Sequence, residues 1–406
     1  MSNKLTTYFK NVKAKYKIKN HLTYYIMIAF TVLFTILSLT GGIKRSSAFL
    51  LEQIGYSIIL AVSLSLVVGF LGELSLGHAG FMCLGAYFGA YFQNTLAPGF
   101  SKSMPLLALI VAMIVGGLVA AVFGFIIGLP ALRLKGDYLA IVTLAFGEIV
   151  KVVFQNADAF GGALGMKNAF RYDVKSLFIV IFVVAILSVA LINNLIRSKH
   201  GRAITAIRDN EIAARAMGVN VSYYKIMVFV LSSFLAGVAG VLFAASSNRF
   251  SSATFDYNYS INILVMVVLG GMGSINGSIV SAALITFLNT KLQTVLTGNL
   301  AALKNLIYAL ILIVIVIYTN APALKGFREK YNFRKLWDKI YAFFHRIFRS
   351  KKELADPAVE KADAGDWSKI PTKVEMDAIL STDFTPDTSY VPDRPDKPEA
   401  PKGGKD

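Results

Sequence analysis

A single cysteine and four histidines are all the thiol and imidazole groups that 406 residues provide. Cys83 stands alone in an apolar stretch, so no internal disulfide can form and its thiol is expected simply to pack. His21, His78, His200 and His345 are scattered, with no HExxH pattern and no Cys/His cluster, so no metal site is expected. No Gly-x4-Gly-Lys-Ser/Thr phosphate loop occurs, which leaves the chain without a site for ATP. No Gly-x-Ser-x-Gly elbow stands between a strand and a helix. An enzyme reading is left without a site, and no cofactor is expected.

Charge is scarce too, at 16% of residues, whereas 55% are hydrophobic. The apolar residues come in long runs broken by Gly, Pro and short charged loops. Residues 23–40, 54–72, 105–128, 176–195, 224–246 and 303–320 each approach the roughly 20 apolar residues that cross a ~30 Å hydrocarbon layer. Weaker runs at 78–96, 137–154, 260–272 and 277–292 carry Gly, Asn or a charge and suit helices that face protein rather than lipid. The expectation is an all-α, polytopic membrane protein of about ten spans.

The formal charge of +17 does not imply nucleic acid, because it is unevenly placed. Residues 1–350 carry +21 and the remainder −4. Six lysines precede the first run, which reads as a retained helix rather than a cleaved leader. If ten spans alternate from a cytoplasmic start, the inside segments carry 19 Lys/Arg against nine outside, so both termini are expected in the cytoplasm.

The expected organisation is a basic N-terminal segment over 1–22, a membrane domain over 23–322 with a long inside loop at 197–223, and two further segments. Residues 323–350 interleave Tyr331, Leu336, Ile340, Phe344 and Ile347 with basic side chains, as in a basic amphipathic helix lying on an anionic lipid surface; packing on a cytoplasmic partner is the other reading. Residues 351–406 hold seven of the eleven prolines and read as disordered.

Within the inside loop, Asp209 or Asn210 can cap a short helix whose first turn bears Glu211, and Gly218 can end it in a left-handed turn. Ala213, Ala214 and Ala216 form a small face that permits close approach, and Glu211 and Arg215 stand at i, i+4. Two glycine-rich breaks, 69–80 and 270–277, separate helices of opposite direction; they are either remnants of a duplication or independent. The first break exposes amides at a helix start, where Ser75, Gly77 and His78 can face a carboxylate, or its glycines merely let helices pack. Glu148 has Lys151 one turn away, so a local pair explains it as well as a place on a pathway does. Thr143 can line that path or bond back to its own helix, and Glu73, at an interface turn, is expected to be hydrated.

The run EIAARAMG at 211–218 resembles the Glu-Ala-Ala…Gly loop of ABC-importer permeases. The Ile-x-Leu-Pro that follows in most of that family is replaced here by KIMVFVL at 225–231, as in the branch for branched-chain amino acids and urea. GELSLGHAGFMCLGAY at 72–87 is similar to the signature of the longer branched-chain amino acid permease subunit, and 132–148 and 269–277 extend the likeness. The resemblance implies a type II-like importer fold in a bacterial inner membrane. It implies a sister permease, two cytoplasmic ATP-binding subunits and an extracytoplasmic binding protein as partners. It also assigns ATPase coupling to the loop of Asp209, Asn210, Glu211, Ala213, Ala214, Arg215 and Gly218, while Ser75, Gly77, His78, Thr143 and Glu148 are the candidates that the residues themselves offer for a translocation path. Urea or short-amide import is the nearest alternative; a stand-alone channel or ion-coupled carrier is the alternative of another class.

Overall fold

Long apolar runs have no water to satisfy their backbone in a bilayer, and helices solve that problem internally. The computed structural model describes residues 45–295 other than 135, 169–171 and 173, with Met27, Thr31, Phe34, Thr35, Ala309, Leu310 and Ile313 as isolated positions. The segments expected at 23–40 and 303–320 lie, apart from those positions, outside the described residues, as do 1–22, 323–350 and 351–406.

Every apolar run within the described residues is helical. In chain order the helices are α1 (Arg45–Ser65), α2 (His78–Tyr91), the short α3 (Pro98–Ser103), α4 (Pro105–Ala131), α5 (Asp137–Asn156), α6 (Val174–Arg197), α7 (Lys199–Asp209), α8 (Glu211–Ala216), α9 (Val221–Ser246), α10 (Tyr257–Gly270) and α11 (Ile275–Val295). Two helices end in π-helical turns, Leu66–Leu71 after α1 and Phe92–Leu96 after α2. Among the described residues, four stretches are long and apolar enough to cross a membrane: Ser47–Leu71, Pro105–Ala131, Leu177–Arg197 and Val221–Ser246. With 14 residues, α10 rises only about 21 Å and is short of a full crossing on its own.

Helix α9 is the hub, packed against α4, α2 and α1, while α1 also packs against α6, α10 and α11. What lets the helices approach is a row of small side chains. On α4, Ala108, Ala112, Gly116, Ala120 and Gly124 recur at every fourth position and are buried, whereas Leu106, Ile110, Ile114, Leu118, Val122 and Phe125 point outward and are exposed. A water-soluble helix would bury the large residues; here the large apolar face is left for lipid and the small one makes the contact. One close crossing is between α2 and α9, where a Cβ on Gly85 would overlap the Gly237 carbonyl. The α2 helix is therefore enclosed on all sides, with every residue buried except Phe88 and Tyr91.

At the far end of α2, Tyr87 stacks on Phe154 with ring centroids 4.3 Å apart, and Phe160 and Phe250 meet its edge. A two-residue antiparallel ladder, β1 (Met166–Lys167) with β2 (Arg249–Phe250), closes over these rings.

Candidate functional site

The loop between α6 and α9 folds into a two-helix elbow, more ordered than the single short helix expected there. The Ser198 hydroxyl oxygen accepts from the His200 and Gly201 amides at 3.1 and 3.4 Å and starts α7. Ile204 and Ile207 are its buried face. At Asn210 the backbone swings to φ −160°, ψ 103°, and its Oδ1 accepts from the Ala213 amide at 3.0 Å. Asn210, not Asp209, is thus the cap of α8. Asp209 instead accepts from the Arg208 guanidinium at 3.0 Å on the surface. Gly218 ends the element at φ +82° with open space where a Cβ would stand, and the Val219 amide donates back to the Ala214 carbonyl at 3.1 Å.

Of the small face, Ala214 is buried and Ala213 and Ala216 are exposed. Two larger apolar side chains stand out beside them: Ile212 is 80% exposed and Met217 83%. A six-residue helix does not persist by propensity, so its caps and charge contacts must hold it.

Those contacts reach far along the chain. Glu211 accepts from Arg215 at 2.9 Å, the expected i, i+4 pair, and from Lys225 on α9 at 3.2 Å. Lys225 also donates to Glu73 at 2.5 Å, and the two side chains are only 5% and 13% exposed. Glu73 is accordingly not hydrated, as its place in the sequence suggested, but tied to a lysine on a distant helix. Arg208 Nη1 donates to the Gly69 carbonyl at 3.0 Å in the π-helical turn that follows α1. Arg208 and Lys225 were missed from the sequence. A lysine within the first turns of an apolar run was the available signal for Lys225; Arg208 had none, since basic residues are ordinary in such loops.

The residues expected on a path gather at the root of α2, but inside the bundle. Ser75, Gly77, His78 and Thr143 are all buried. The Leu76 amide donates to Thr143 Oγ1 at 3.0 Å, and that hydroxyl also bonds back to the Ala140 carbonyl at 3.0 Å. A Cβ on Gly77 would overlap the Thr143 carbonyl. His78 Nε2 pairs with Ser63 Oγ at 2.8 Å, Ser232 donates to the Ser63 carbonyl at 2.6 Å, and the Ala79 amide donates to Ser260 Oγ at 3.1 Å. Polar bonds therefore tie the start of α2 to α1, α5 and α10. Glu148 stands apart from this group. Its carboxylate takes Lys151 at 2.5 Å, and the Tyr257 amide at 2.9 Å, which anchors the first turn of α10. Among the described residues no three His, Cys, Asp or Glu side chains come together to hold a metal.

Apolar helices packed through small residues, with a charged two-helix elbow standing outside the spans, define a helical protein of the membrane class. The family described as the branched-chain amino acid transport system / permease component matches residues 46–316, and the chain belongs to it. It is 37% identical over 275 residues to the high-affinity branched-chain amino acid transport system permease protein LivM of Salmonella typhimurium, a match covering 60% of this chain and 63% of that one. The LivM of Escherichia coli is also 37% identical, over 56% of this chain and 59% of its own length. The chain thus aligns with less than two-thirds of either relative. The ribose import permease protein RbsC of Escherichia coli is 29% identical over 67% of this chain and 84% of its own.

Proposed function

We propose that the chain is the transmembrane permease subunit of an ATP-driven importer of leucine, isoleucine and valine, and that it converts closure of partner ATPases into alternating access. It catalyses no covalent step. Its partners in this reading are a sister permease, two cytoplasmic ATP-binding subunits and an extracytoplasmic binding protein, in a bacterial inner membrane with both termini in the cytoplasm. The substrate class comes from the family and from the two LivM relatives.

The observation that carries the coupling role is the exposed tip of the elbow. Ile212 and Met217 are large, apolar and almost fully exposed on a helix outside the apolar spans, which is how a surface awaiting a protein partner looks. In this reading α8 seats in a cleft of the ATPase. Asn210 and Gly218 fix its two ends, Ala213 lets the partner approach, Ala214 packs it inward, and Glu211 and Arg215 orient it. Asp209 holds Arg208 on the same surface. Ser75, Gly77, His78, Thr143 and Glu148 would then act by holding the broken start of α2 and its neighbours, beside whatever path opens when the bundle rearranges.

The test is co-purification of the full chain with its partners from native membranes, followed by uptake of leucine, urea and ribose into vesicles. ATP-dependent leucine uptake is expected. Uptake of urea or ribose instead would replace the substrate, and conduction by the chain without ATPases would sink the permease reading.

A further inference from the structure

The elbow is covalently continuous with α6 and α9, so motion of α8 would be expected to reach those two helices first. Its side chains reach elsewhere. Arg208 lies flat across Gly72, where a Cβ would come within 2.7 Å of its Cγ, and its Nη1 bonds the Gly69 carbonyl on the way. On its other side a Cβ on Gly273 would stand 3.4 Å from the same Nη1. The guanidinium therefore sits between the two glycine breaks and complements the negative C-terminal end of α1 and its π-helical turn. Beyond α8, at the start of α9, Lys225 bridges Glu211 of α8 to Glu73 of the first break.

We propose that Arg208 and Lys225 are positioning residues that carry displacement of α8 into the 69–73 break, so that α2 is the driven element of this permease. The proposal rests on the coupling role assigned above. Three observations support it. The Lys225–Glu73 pair is nearly buried, so water does not soften it as it would a surface pair. The break runs straight into α2, whose first residues are bonded to Thr143, Ser63 and Ser260 on three other helices. And α2 is enclosed on all sides by the bundle, so a shift at its root must be answered by its neighbours.

A strut that only stabilises and a strut that transmits respond differently to apolar replacement. Lys225→Met combined with Glu73→Gln removes both charges of the buried pair, and Glu211 keeps its pair with Arg215, so no carboxylate is left without a partner. In the reconstituted full complex, the double variant is expected to keep ATP hydrolysis near the wild-type rate while substrate moved per ATP falls by about tenfold, the usual scale of coupling between sites. Lys225→Arg should restore most of that ratio. An unchanged ratio in the assembled double variant overturns the proposal. Should that variant fail to assemble, Arg208→Gln decides by the same ratio, since its side chain is more exposed and its loss milder. Absence of any ATP-driven uptake by the wild-type complex would strike the permease reading itself, which separates the two failures.

Discussion

Gly69 and Gly273 meet backbone to backbone: a Cβ on Gly69 would stand 2.5 Å from the Gly273 amide nitrogen. Two breaks some two hundred positions apart in the sequence are thereby one joint. Gly69→Ala should force that joint open and cost about 1–3 kcal/mol, the usual range for overpacking. Gly99, with nothing within 4 Å of its missing Cβ, is the control; Gly99→Ala should leave the melting temperature of the detergent-purified chain unchanged or slightly higher.

Burial separates two ion pairs at the elbow, Lys225–Glu73 and Arg215–Glu211. Lys225→Ala leaves Glu73 charged with little water around it, and a loss of about 3 kcal/mol is expected for breaking such a pair. Arg215→Ala removes an exposed helix pair and should cost under about 0.5 kcal/mol. Equal shifts in thermal unfolding for the two variants would contradict the burial argument.

Capping distinguishes the two neighbours at the elbow. Asn210→Ala removes the acceptor for the Ala213 amide and should loosen α8 by about 1 kcal/mol, seen as faster hydrogen exchange at that amide. Asp209→Ala leaves the cap in place and should not change exchange at Ala213.

Ile212→Glu places a charge on an almost fully exposed position. The isolated chain should melt as before, while recovery of ATP-binding subunits on purification falls sharply. Full recovery would mean that the exposed tip of α8 is not where the ATPase binds.

Cys83 is buried against its neighbours in α2 and is the sole cysteine of the chain. A maleimide should leave the folded protein unlabelled and modify one thiol per chain after denaturation in detergent such as dodecyl sulfate. Labelling of the native chain would show that α2 is less enclosed than its packing indicates.

The helices were legible because a bilayer-spanning element needs a long apolar run, and that requirement is local. All eight apolar runs within the described residues are helical, from 54–72 to 277–292. The left-handed end at Gly218 and the Glu211–Arg215 pair were legible for the same reason, each depending on residues within one turn. The α7 helix was not, since its basic residues disguise a two-isoleucine buried face too short to stand out. Between Asp209 and Asn210 the sequence could not choose, because both side chains cap equally well and only the backbone turn at 210 decides.

The amino-acid order alone determined that the chain is a bundle of apolar helices broken at two glycine-rich points, since hydrophobic length, glycine and charge act over a few residues. Tertiary structure alone decided that Arg208 reaches Gly69 across 139 positions and Lys225 reaches Glu73 across 152. Such partners are chosen by which helices the small residues allow to touch. That choice is made only when the whole bundle packs.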